Sequence, residues 1–240
     1  MVSEDQVLLG SERWWDEYFA PGGGWEKNRG PNQTRQFVKA FLRLVILDRD
    51  KALTLLDVGC ALGHAIELIH ERYPRAVLTG VDFSSMAVRR CRERLGSIAG
   101  FERRTIEEIN EEYDVIYVSH LMEHFWDYRG KASHLARHCQ RLIISVPYNE
   151  FGAPVAEAHP ERHHQANFVE DSFNFLIGEG LAERIQTHIF DCPGAWSFSW
   201  KKKIWELGLK NTLRFFLGKK RIQDKFMVIF DITCKRLDPT

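Results

Sequence analysis

The sequence predicts an α/β fold in which a mostly parallel, doubly wound sheet is covered by crossover helices. Two patterns predict it. Between about residues 53 and 147, short apolar runs rich in β-branched residues alternate with stretches of helical periodicity. A tight turn of small residues also joins the first run directly to a helix. The composition agrees with a globular domain that buries a sizeable core, since 44% of the 240 residues are hydrophobic and 28% are charged.

Three zones follow one another along the chain, and we expect them to form a single domain. In residues 1–48, two amphipathic helical patterns flank a Pro-Gly-Gly-Gly turn, which predicts a helical cap with a flexible joint. Residues 49–147 hold the alternating strands and helices. Residues 148–240 begin with a histidine-containing loop, continue as a helix near 168–178 and contain an insertion at 196–225. The predicted strands are 53–58, 76–81, 114–118, 141–146, 181–190 and 226–234, and the predicted crossover helices are 63–72, 84–95 and 131–139.

Charge and cysteine content narrow the class of protein. The 33 lysines and arginines balance 33 acidic residues, which argues against bulk attraction to nucleic acid or to an anionic membrane. The five cysteines are widely spaced and form no C-x-x-C pair, which is typical of reduced thiols. The N-terminal residues show neither a basic leader nor a long apolar run, so we expect a cytoplasmic protein.

The most informative segment is the turn of small residues after the first predicted strand. Gly59 and Gly63 permit close approach of a ligand to the backbone, and free amides at the following helix start favour an anionic group. Asp82 ends the next predicted strand, about where a carboxylate binds a ribose diol, although a helix N-cap or a turn acid is an alternative role. His64 stands where the dinucleotide fingerprint needs Gly or Ala, which disfavours a nicotinamide-dependent enzyme.

With Asp57 ahead of it, the pattern Gly59-x-Ala61-x-Gly63 resembles motif I of class I S-adenosylmethionine-dependent methyltransferases. The resemblance covers about residues 53–190, and it departs from the family at Ala61, where glycine is more common. It implies a Rossmann-like, seven-stranded sheet with the last strand antiparallel, S-adenosyl-L-methionine as cofactor and S-adenosyl-L-homocysteine as product. The cofactor-binding residues that it implies are Asp57, Gly59, Cys60, Ala61, Gly63, Asp82, Phe83, Thr105, Ile106, Ser119 and His120.

Seven of the ten histidines lie between residues 120 and 164. His120 to His124 formally matches the H-x-x-E-H zinc motif of inverted metalloproteases, but that motif needs a helix, and here it follows directly from a predicted strand. His134 and His138 are also spaced as i and i+4 on a predicted helix, without an identifiable further ligand, so we expect them to be solvated. Neither pair predicts a metal site.

The loop 158–168 leaves the predicted fifth strand on the ligand side of the sheet, where it could line an acceptor pocket. Methyl transfer to a hydroxyl needs a proton acceptor, and a histidine suits that task. We therefore expect His163 or His164 to act as the base, with His124 and Glu123 as the next candidates. Local hydrogen bonding is the alternative role of each histidine. A divalent metal ion held by Glu123, His124 and this loop is less favoured, and we expect none.

The cap and the insertion bear on the acceptor. The pieces G-W-E-x-N and Q-T in the cap look like those of methyltransferases that act on sugars or surface glycans, and the cap could close over the acceptor or merely dock as a helix hairpin. The insertion 196–225 interleaves tryptophan and phenylalanine with lysine and arginine. It could bind a phosphorylated acceptor, contact a membrane or stack RNA bases, or it could be a solvated helical insertion.

These observations predict a methyltransferase that methylates an oxygen of a small polar acceptor, such as a sugar, a nucleotide sugar or a glycan precursor. Nitrogen and carbon acceptors stay open, as does the oligomeric state. An RNA methyltransferase of the same fold is a rival, although the chain has no Asn/Asp-Pro-Pro-Tyr motif. A non-catalytic cofactor-binding or scaffold protein is a second rival.

Overall fold

The computed structural model describes residues 11–28, 30–149, 164–191 and 226–235. The helices in these ranges are α1 (Glu12–Phe19), α2 (Gly24–Lys27), α3 (Gly30–Leu44), α4 (His64–Arg72), α5 (Ser85–Leu95), α6 (Tyr128–Arg137) and α7 (Phe175–Gly178). The strands are β1 (Thr54–Val58), β2 (Val77–Asp82), β3 (Gly100–Arg103), β4 (Tyr113–Ser119), β5 (Cys139–Pro147), β6 (Ala182–Asp191) and β7 (Phe226–Cys234).

The seven strands form one sheet in the order β3-β2-β1-β4-β5-β7-β6. Strands β1 to β5 pair in parallel, and β7 runs antiparallel to both of its neighbours, β5 and β6. The predicted doubly wound, mostly parallel seven-stranded sheet with an antiparallel last strand is therefore confirmed. The strand order reverses between β1 and β4, so a crevice for a ligand is expected at the carboxyl ends of these two strands.

Both faces of the sheet are covered by helices, which is why the strands are nearly continuous apolar runs. On β1, Leu56 faces the side covered by α6 and α7, whereas Leu55 faces the side covered by α3, α4 and α5. On the α3 side, Phe41 stacks on Tyr117 with ring centroids 4.7 Å apart. The two apolar layers fix the positions of the strand ends. They thereby also fix the positions of the polar residues that follow each strand.

Three elements differ from the sequence prediction. Strand β3 was not among the predicted runs, because only Phe101 of its four residues is apolar and buried. Helix α6 begins and ends earlier than predicted, because Asp127 caps its N-terminus by accepting from the Gly130 amide. The helix predicted at 168–178 is reduced to α7, because Phe168 is extended and bridges to Tyr148 beside β5.

Cysteine and hydropathy predictions can be compared with the described part of the chain. Cys60, Cys91, Cys139 and Cys234 are free thiols, as predicted, and Cys192 lies outside the described residues. Within the described ranges, every helix is too short or too polar to cross a membrane. The insertion 196–225 also lies outside the described residues.

Candidate active site at the carboxyl edge of the sheet

The turn after β1 has an unusual backbone, and it bends the chain sharply from β1 into α4. Gly59, Ala61 and Gly63 all adopt positive φ angles, of +73°, +47° and +71°. A Cβ atom on Gly59 would lie 2.9 Å from Leu121 Cδ2, so both the backbone angle and the available space favour glycine there. Ala61 accepts the left-handed conformation despite its methyl group, which explains why glycine is the commoner residue at this point of the motif.

Asp82 holds this turn against β2. Its Oδ2 atom accepts a hydrogen bond from the Ala61 amide and its Oδ1 atom accepts one from the Ser84 amide, both at 2.9 Å. Burial raises the pKa of the Asp82 carboxyl to about 6, although the backbone hydrogen bonds oppose this. The N-cap of α5 is Ser84, whose hydroxyl accepts from the Ala87 amide, so the alternative role of Asp82 as an N-cap is wrong. Its alternative role as a turn acid is confirmed by the hydrogen bond from the Ser84 amide.

Asp57 lies beneath the same turn. It is buried, and its Oδ2 atom has no hydrogen-bond partner among the described residues. Burial raises the pKa of the Asp57 carboxyl to about 7, and the negative charge of Asp82 adds to this effect. A buried carboxylate that lacks a donor or a cation is costly, so this position favours a ligand that brings positive charge.

The other predicted cofactor residues fall into two groups. Cys60 is buried in the turn, Phe83 is half-buried after β2, and Ser119 and His120 end β4, so these four line the same edge. Thr105 and Ile106 have local structural roles that the sequence did not indicate. The Thr105 amide donates to Glu108 Oε2 at 2.7 Å in a capping box, and Ile106 is buried in the core. Their contact with adenine stays a prediction.

A second group of polar side chains lies just beyond β4, and we call Glu123, His124 and His164 the histidine cluster. Their potential ligand atoms all lie within 4.8 Å of one another, and the rings of His124 and His164 are 5.0 Å apart. Glu123 is fully buried, and neither carboxylate oxygen accepts a well-aligned hydrogen bond from the described residues. Of the predicted catalytic residues, His163 lies outside the described residues.

Backbone contacts bring the cluster together across about forty residues of sequence. Met122–His124 forms a 3₁₀ turn, so the helical arrangement of the metalloprotease motif is absent here. The carbonyl of Glu123 accepts hydrogen bonds from the amides of Gln165 and Ala166. Since these residues directly follow His164, the two bonds fix its position beside Glu123.

His120 supports the cluster from the end of β4. Its Nδ1 atom lies 2.9 Å from Glu123 Oε1, and its ring stacks on Phe37 of α3 at 4.1 Å. Its backbone takes a positive φ of +52°, and its amide donates to the Ser145 carbonyl. Burial by itself raises the pKa of Glu123, but the charges that His120, His124 and His164 can carry lower it to about 2.

The cap docks directly over the glycine turn. Asp16 of α1 accepts hydrogen bonds from the Ser84 and Ser85 hydroxyls and from the Met86 amide. Salt bridges of Glu12 with Arg103 and of Glu26 with Arg90 strengthen the contact. Apart from Glu26, which belongs to the G-W-E-x-N piece, these residues were not predicted, since nothing in the sequence signals charged contacts between segments 64 to 91 residues apart. The docked hairpin is thus present, and hinged closure stays a prediction.

The aromatic face of the cap joins the two parts of the site. Phe19 packs with Ala61 and Leu62 of the turn, and Trp15 stacks on Phe19. The Trp15 ring also lies edge-on to His124, with centroids 6.0 Å apart. The cap therefore provides one wall that extends from the turn to the histidine cluster.

His134 and His138 lie apart from this site on α6, with their rings 4.8 Å apart. They are partly buried rather than solvated as expected, since His134 Nε2 lies 2.8 Å from the Ile109 carbonyl. Among the described residues, no third ligand joins them.

The sheet order, the glycine turn and the acid at the end of β2 define a class I methyltransferase. The family described as "Methyltransferase domain" matches residues 29–188, which is more than half of the chain, so this protein belongs to that family. The predicted class I methyltransferase is thereby confirmed at the level of family and fold.

Three particular proteins show how far the similarity extends. The malonyl-[acyl-carrier protein] O-methyltransferase of Acetivibrio thermocellus is 28% identical over 106 residues, which cover 43% of this chain and 38% of that protein. The trans-aconitate 2-methyltransferase of Azoarcus sp. is 29% identical over 104 residues, covering 42% and 41%. The plantazolicin methyltransferase in complex with SAH superposes with a TM-score of 0.57 at 20% identity, covering 93% of this chain and 95% of that one. The chain thus spans about two fifths of these two curated relatives, whereas the structural match, at this low identity, concerns the fold alone.

Proposed function

We propose that this protein transfers a methyl group from S-adenosyl-L-methionine to an oxygen atom of a small polar acceptor, a sugar, nucleotide sugar or glycan precursor being the first choice. The observation that carries the proposal is the proximity of two different polar centres at one sheet edge. The glycine turn with Asp57 and Asp82 suits a cationic nucleoside, and the histidine cluster beside it suits a hydroxyl group.

The proposed binding of the cofactor at the glycine turn is supported by complementary charge. When bound, the cofactor supplies an electrophilic methyl group on a positively charged sulfur. Asp57 has a buried oxygen without a hydrogen-bond partner among the described residues, which a cationic ligand would satisfy. Asp82 keeps a second lone pair on each oxygen for the ribose hydroxyls. The start of α4, which no side chain of the described residues caps, suits the anionic end of the ligand. Phe83, Thr105 and Ile106 are further candidates, which would contact the adenine ring.

The acceptor side rests on the histidine cluster. As a hydroxyl oxygen forms its bond to the methyl carbon, the carbon–sulfur bond breaks, sulfur keeps the electron pair, and the hydroxyl proton must leave. A neutral imidazole of His164 or His124 can accept that proton, and the carboxylate of Glu123 stabilises the resulting imidazolium. His163 is an equivalent candidate by sequence. Trp15 of the cap helps to exclude water.

The acceptor class is supported by the cap sequence and by the surroundings of Glu123. The carboxylate of Glu123 and the imidazoles beside it can accept hydrogen bonds, which favours a hydroxyl group as the acceptor. One relative is an O-methyltransferase, which supports oxygen as the methylated atom. We assign the whole chain to one domain, with the cap at 1–48, the cofactor half at 49–147 and the acceptor half at 148–240.

The first test is calorimetric titration with S-adenosylmethionine and S-adenosylhomocysteine. The wild type should bind in the micromolar range, and Asp82→Ala should bind at least about 10-fold more weakly, since each lost charge-assisted hydrogen bond contributes about 1.5–3 kcal/mol. Glu93→Ala is the matched control, because Glu93 is an exposed acid on α5. Equal affinity in Asp82→Ala and the control would refute the proposed cofactor site.

A radiolabelled methyl transfer assay then identifies the acceptor. The panel contains sugars, nucleotide sugars, dicarboxylic acids and a structured RNA. Transfer to a hydroxyl of a sugar derivative supports the proposal, and transfer to a carboxylate or to RNA replaces the acceptor class. Tight cofactor binding without transfer to any of them would favour the non-catalytic alternative.

A further inference from the structure

We propose that the histidine cluster, Glu123, His124 and His164, binds one divalent transition-metal ion through one carboxylate oxygen and two imidazole nitrogens. This inference replaces the expectation of a metal-free site. Its geometry is independent of the acceptor, but the chemical role given to the ion below rests on the proposed function.

The spacing of the three side chains suits a single ion. Their potential ligand atoms lie within 4.8 Å of one another. Around a zinc ion with bonds of about 2.0–2.2 Å, two tetrahedral ligands are roughly 3.4 Å apart. Displacements of about 1 Å or less at each ligand atom would therefore bring the three atoms to these separations.

The carboxylate of Glu123 indicates what is missing from the cluster. It is fully buried, and the described residues give its oxygens no well-aligned hydrogen bond. Its close polar neighbour is His120 Nδ1, 2.9 Å from Oε1. A buried carboxylate is normally satisfied by several donors or by a cation. A metal ion on the side facing His124 and His164 would meet this need, and His120 would orient the carboxylate as a positioning residue.

The backbone holds the ligands in place before any ion binds. Glu123 and His124 are adjacent on a 3₁₀ turn, and the Glu123 carbonyl accepts hydrogen bonds from the two amides that follow His164. Phe37 stacks on His120 and thereby fixes the ring that contacts Glu123. Sites that are ordered in advance in this way bind metal ions without paying for the ordering of a loop.

The donor set selects the kind of ion. Two imidazoles and one carboxylate suit Zn²⁺, Mn²⁺, Fe²⁺, Co²⁺ or Ni²⁺, whereas Mg²⁺ and Ca²⁺ prefer oxygen ligands. Three protein ligands leave at least one coordination position open. A hydroxyl oxygen of the acceptor at that position would lose its proton to water more readily. Under this arrangement the two histidines hold the ion and do not themselves accept the proton.

Metal binding can be measured on the full chain without any acceptor. After treatment with a chelator, the protein is titrated with Co²⁺ and followed by visible absorption, and with Zn²⁺ by calorimetry. We expect one ion per chain, and at least about 100-fold weaker binding in Glu123→Gln and in His164→Ala. The matched control is the double variant His134→Ala and His138→Ala, which removes the paired histidines on α6.

Each result decides the proposal. Loss of the ion in Glu123→Gln and His164→Ala, with retention in the α6 variant, supports it. The reverse pattern, equal affinity in all variants, or no binding at 1 mM Zn²⁺ (about −4 kcal/mol) overturns it. Binding of S-adenosylhomocysteine by the same samples shows that the variants are folded. The two proposals are also separable, because methyl transfer by a metal-free enzyme would refute the chemical role of the ion alone, and metal binding without transfer to any acceptor would refute the proposed function alone.

Discussion

Two buried carboxylates at the same edge of the sheet have opposite surroundings. Asp57, at the glycine turn, is buried and lies near the acid Asp82, and both effects raise its pKa to about 7. Glu123, in the histidine cluster, is equally buried, yet three histidines lower its pKa to about 2. The difference shows that burial does not fix the charge of a site, because the neighbouring groups decide it. Among the described residues, no cationic side chain adds to the charge at Asp57, whereas the cluster places titratable histidines beside its carboxylate.

The largest expected effect comes from filling the turn. In Gly59→Arg, a side chain is forced onto a φ of +73° and against Leu121, so we expect cofactor binding to fall at least about 100-fold in calorimetry. Gly178→Arg is the matched control, because a Cβ atom there meets nothing within 4 Å. Cofactor affinity within about 3-fold of wild type in Gly59→Arg would contradict the assigned site.

The second change breaks the cluster and leaves the turn intact. We expect His164→Ala to lower kcat by roughly 100-fold or more, since His164 acts on the acceptor proton either directly or through an ion. The affinity for S-adenosylhomocysteine should stay within about 2-fold of wild type, because the turn is untouched. The rate is measured with the acceptor found in the panel. A loss of cofactor affinity without a loss of kcat would contradict this role, because it would place His164 in the cofactor half of the site.

The pH dependence of cofactor binding tests the charge of Asp57. The ionised form is the one that attracts a cation, so affinity should rise by at least about 10-fold as pH increases from 5.5 to 8, through the pKa values of Asp82 and Asp57. In Asp57→Asn the affinity should be lower and its pH dependence shallower. Calorimetry at four pH values provides the measurement, and affinity in the wild type that is independent of pH would contradict the raised pKa values.

The same carboxyl group should weaken the ligand-free protein. Its folded pKa of about 7 lies above the unfolded value of 3.8, so the folded state binds the extra proton. The contribution of the protonated Asp57 carboxyl to stability is therefore fully present below pH 4, and it is lost as the pH rises through 7. Asp57→Asn should consequently raise the free energy of unfolding at pH 8 by about 2–4 kcal/mol. Urea unfolding at pH 5 and pH 8 checks this, and a destabilised variant at pH 8 would refute it.

A smaller effect is expected at the contact between the cap and the turn. Asp16→Ala removes three hydrogen bonds to the start of α5, so we expect a loss of about 1–2 kcal/mol in the free energy of unfolding and a few-fold higher KM for the cofactor. Glu17→Ala on the exposed side of α1 is the control. If both variants behave alike, the cap does not support the cofactor site.

The smallest effect is expected at Ala61. Glycine relieves the left-handed strain, worth about 1–2 kcal/mol, but it also gives the unfolded chain more freedom, worth about 0.4–1 kcal/mol. Ala61→Gly should therefore change the free energy of unfolding by about 1 kcal/mol or less, and cofactor affinity by less than about 3-fold. A large loss of affinity would mean that the methyl group itself contacts the ligand.

The fold and the turn could be predicted because their signals are local. The alternation of apolar runs with helical patterns, and the succession of Gly59, Gly63 and Asp82, depend on neighbours in sequence. Strand β3 was not predicted, because an edge strand of four residues with one buried side chain lacks that pattern. The helix predicted at 168–178 failed because a tertiary bridge from Tyr148 to Phe168 overrides local helical periodicity.

The cluster could be predicted only as a set of candidates. Glu123 and His124 belong to the motif after β4, but the position of His164 beside Glu123 depends on two hydrogen bonds to the Glu123 carbonyl. The support from His120 and Phe37 depends on how α3 packs on the sheet. Such contacts between distant segments have no periodic signature in the sequence.

Fixed anchors on either side of residues 150–163 have a consequence for how the acceptor preference can change. Tyr148 bridges to Phe168, and the amides after His164 are bound to Glu123, so both flanks are attached to the rigid sheet edge. In general, doubling the length of a flexible connection costs only about 0.6 kcal/mol. Sequences of different length and composition could therefore be exchanged between the anchors while the histidine cluster stays in place. The position is a natural point for recombination, in evolution or in the laboratory.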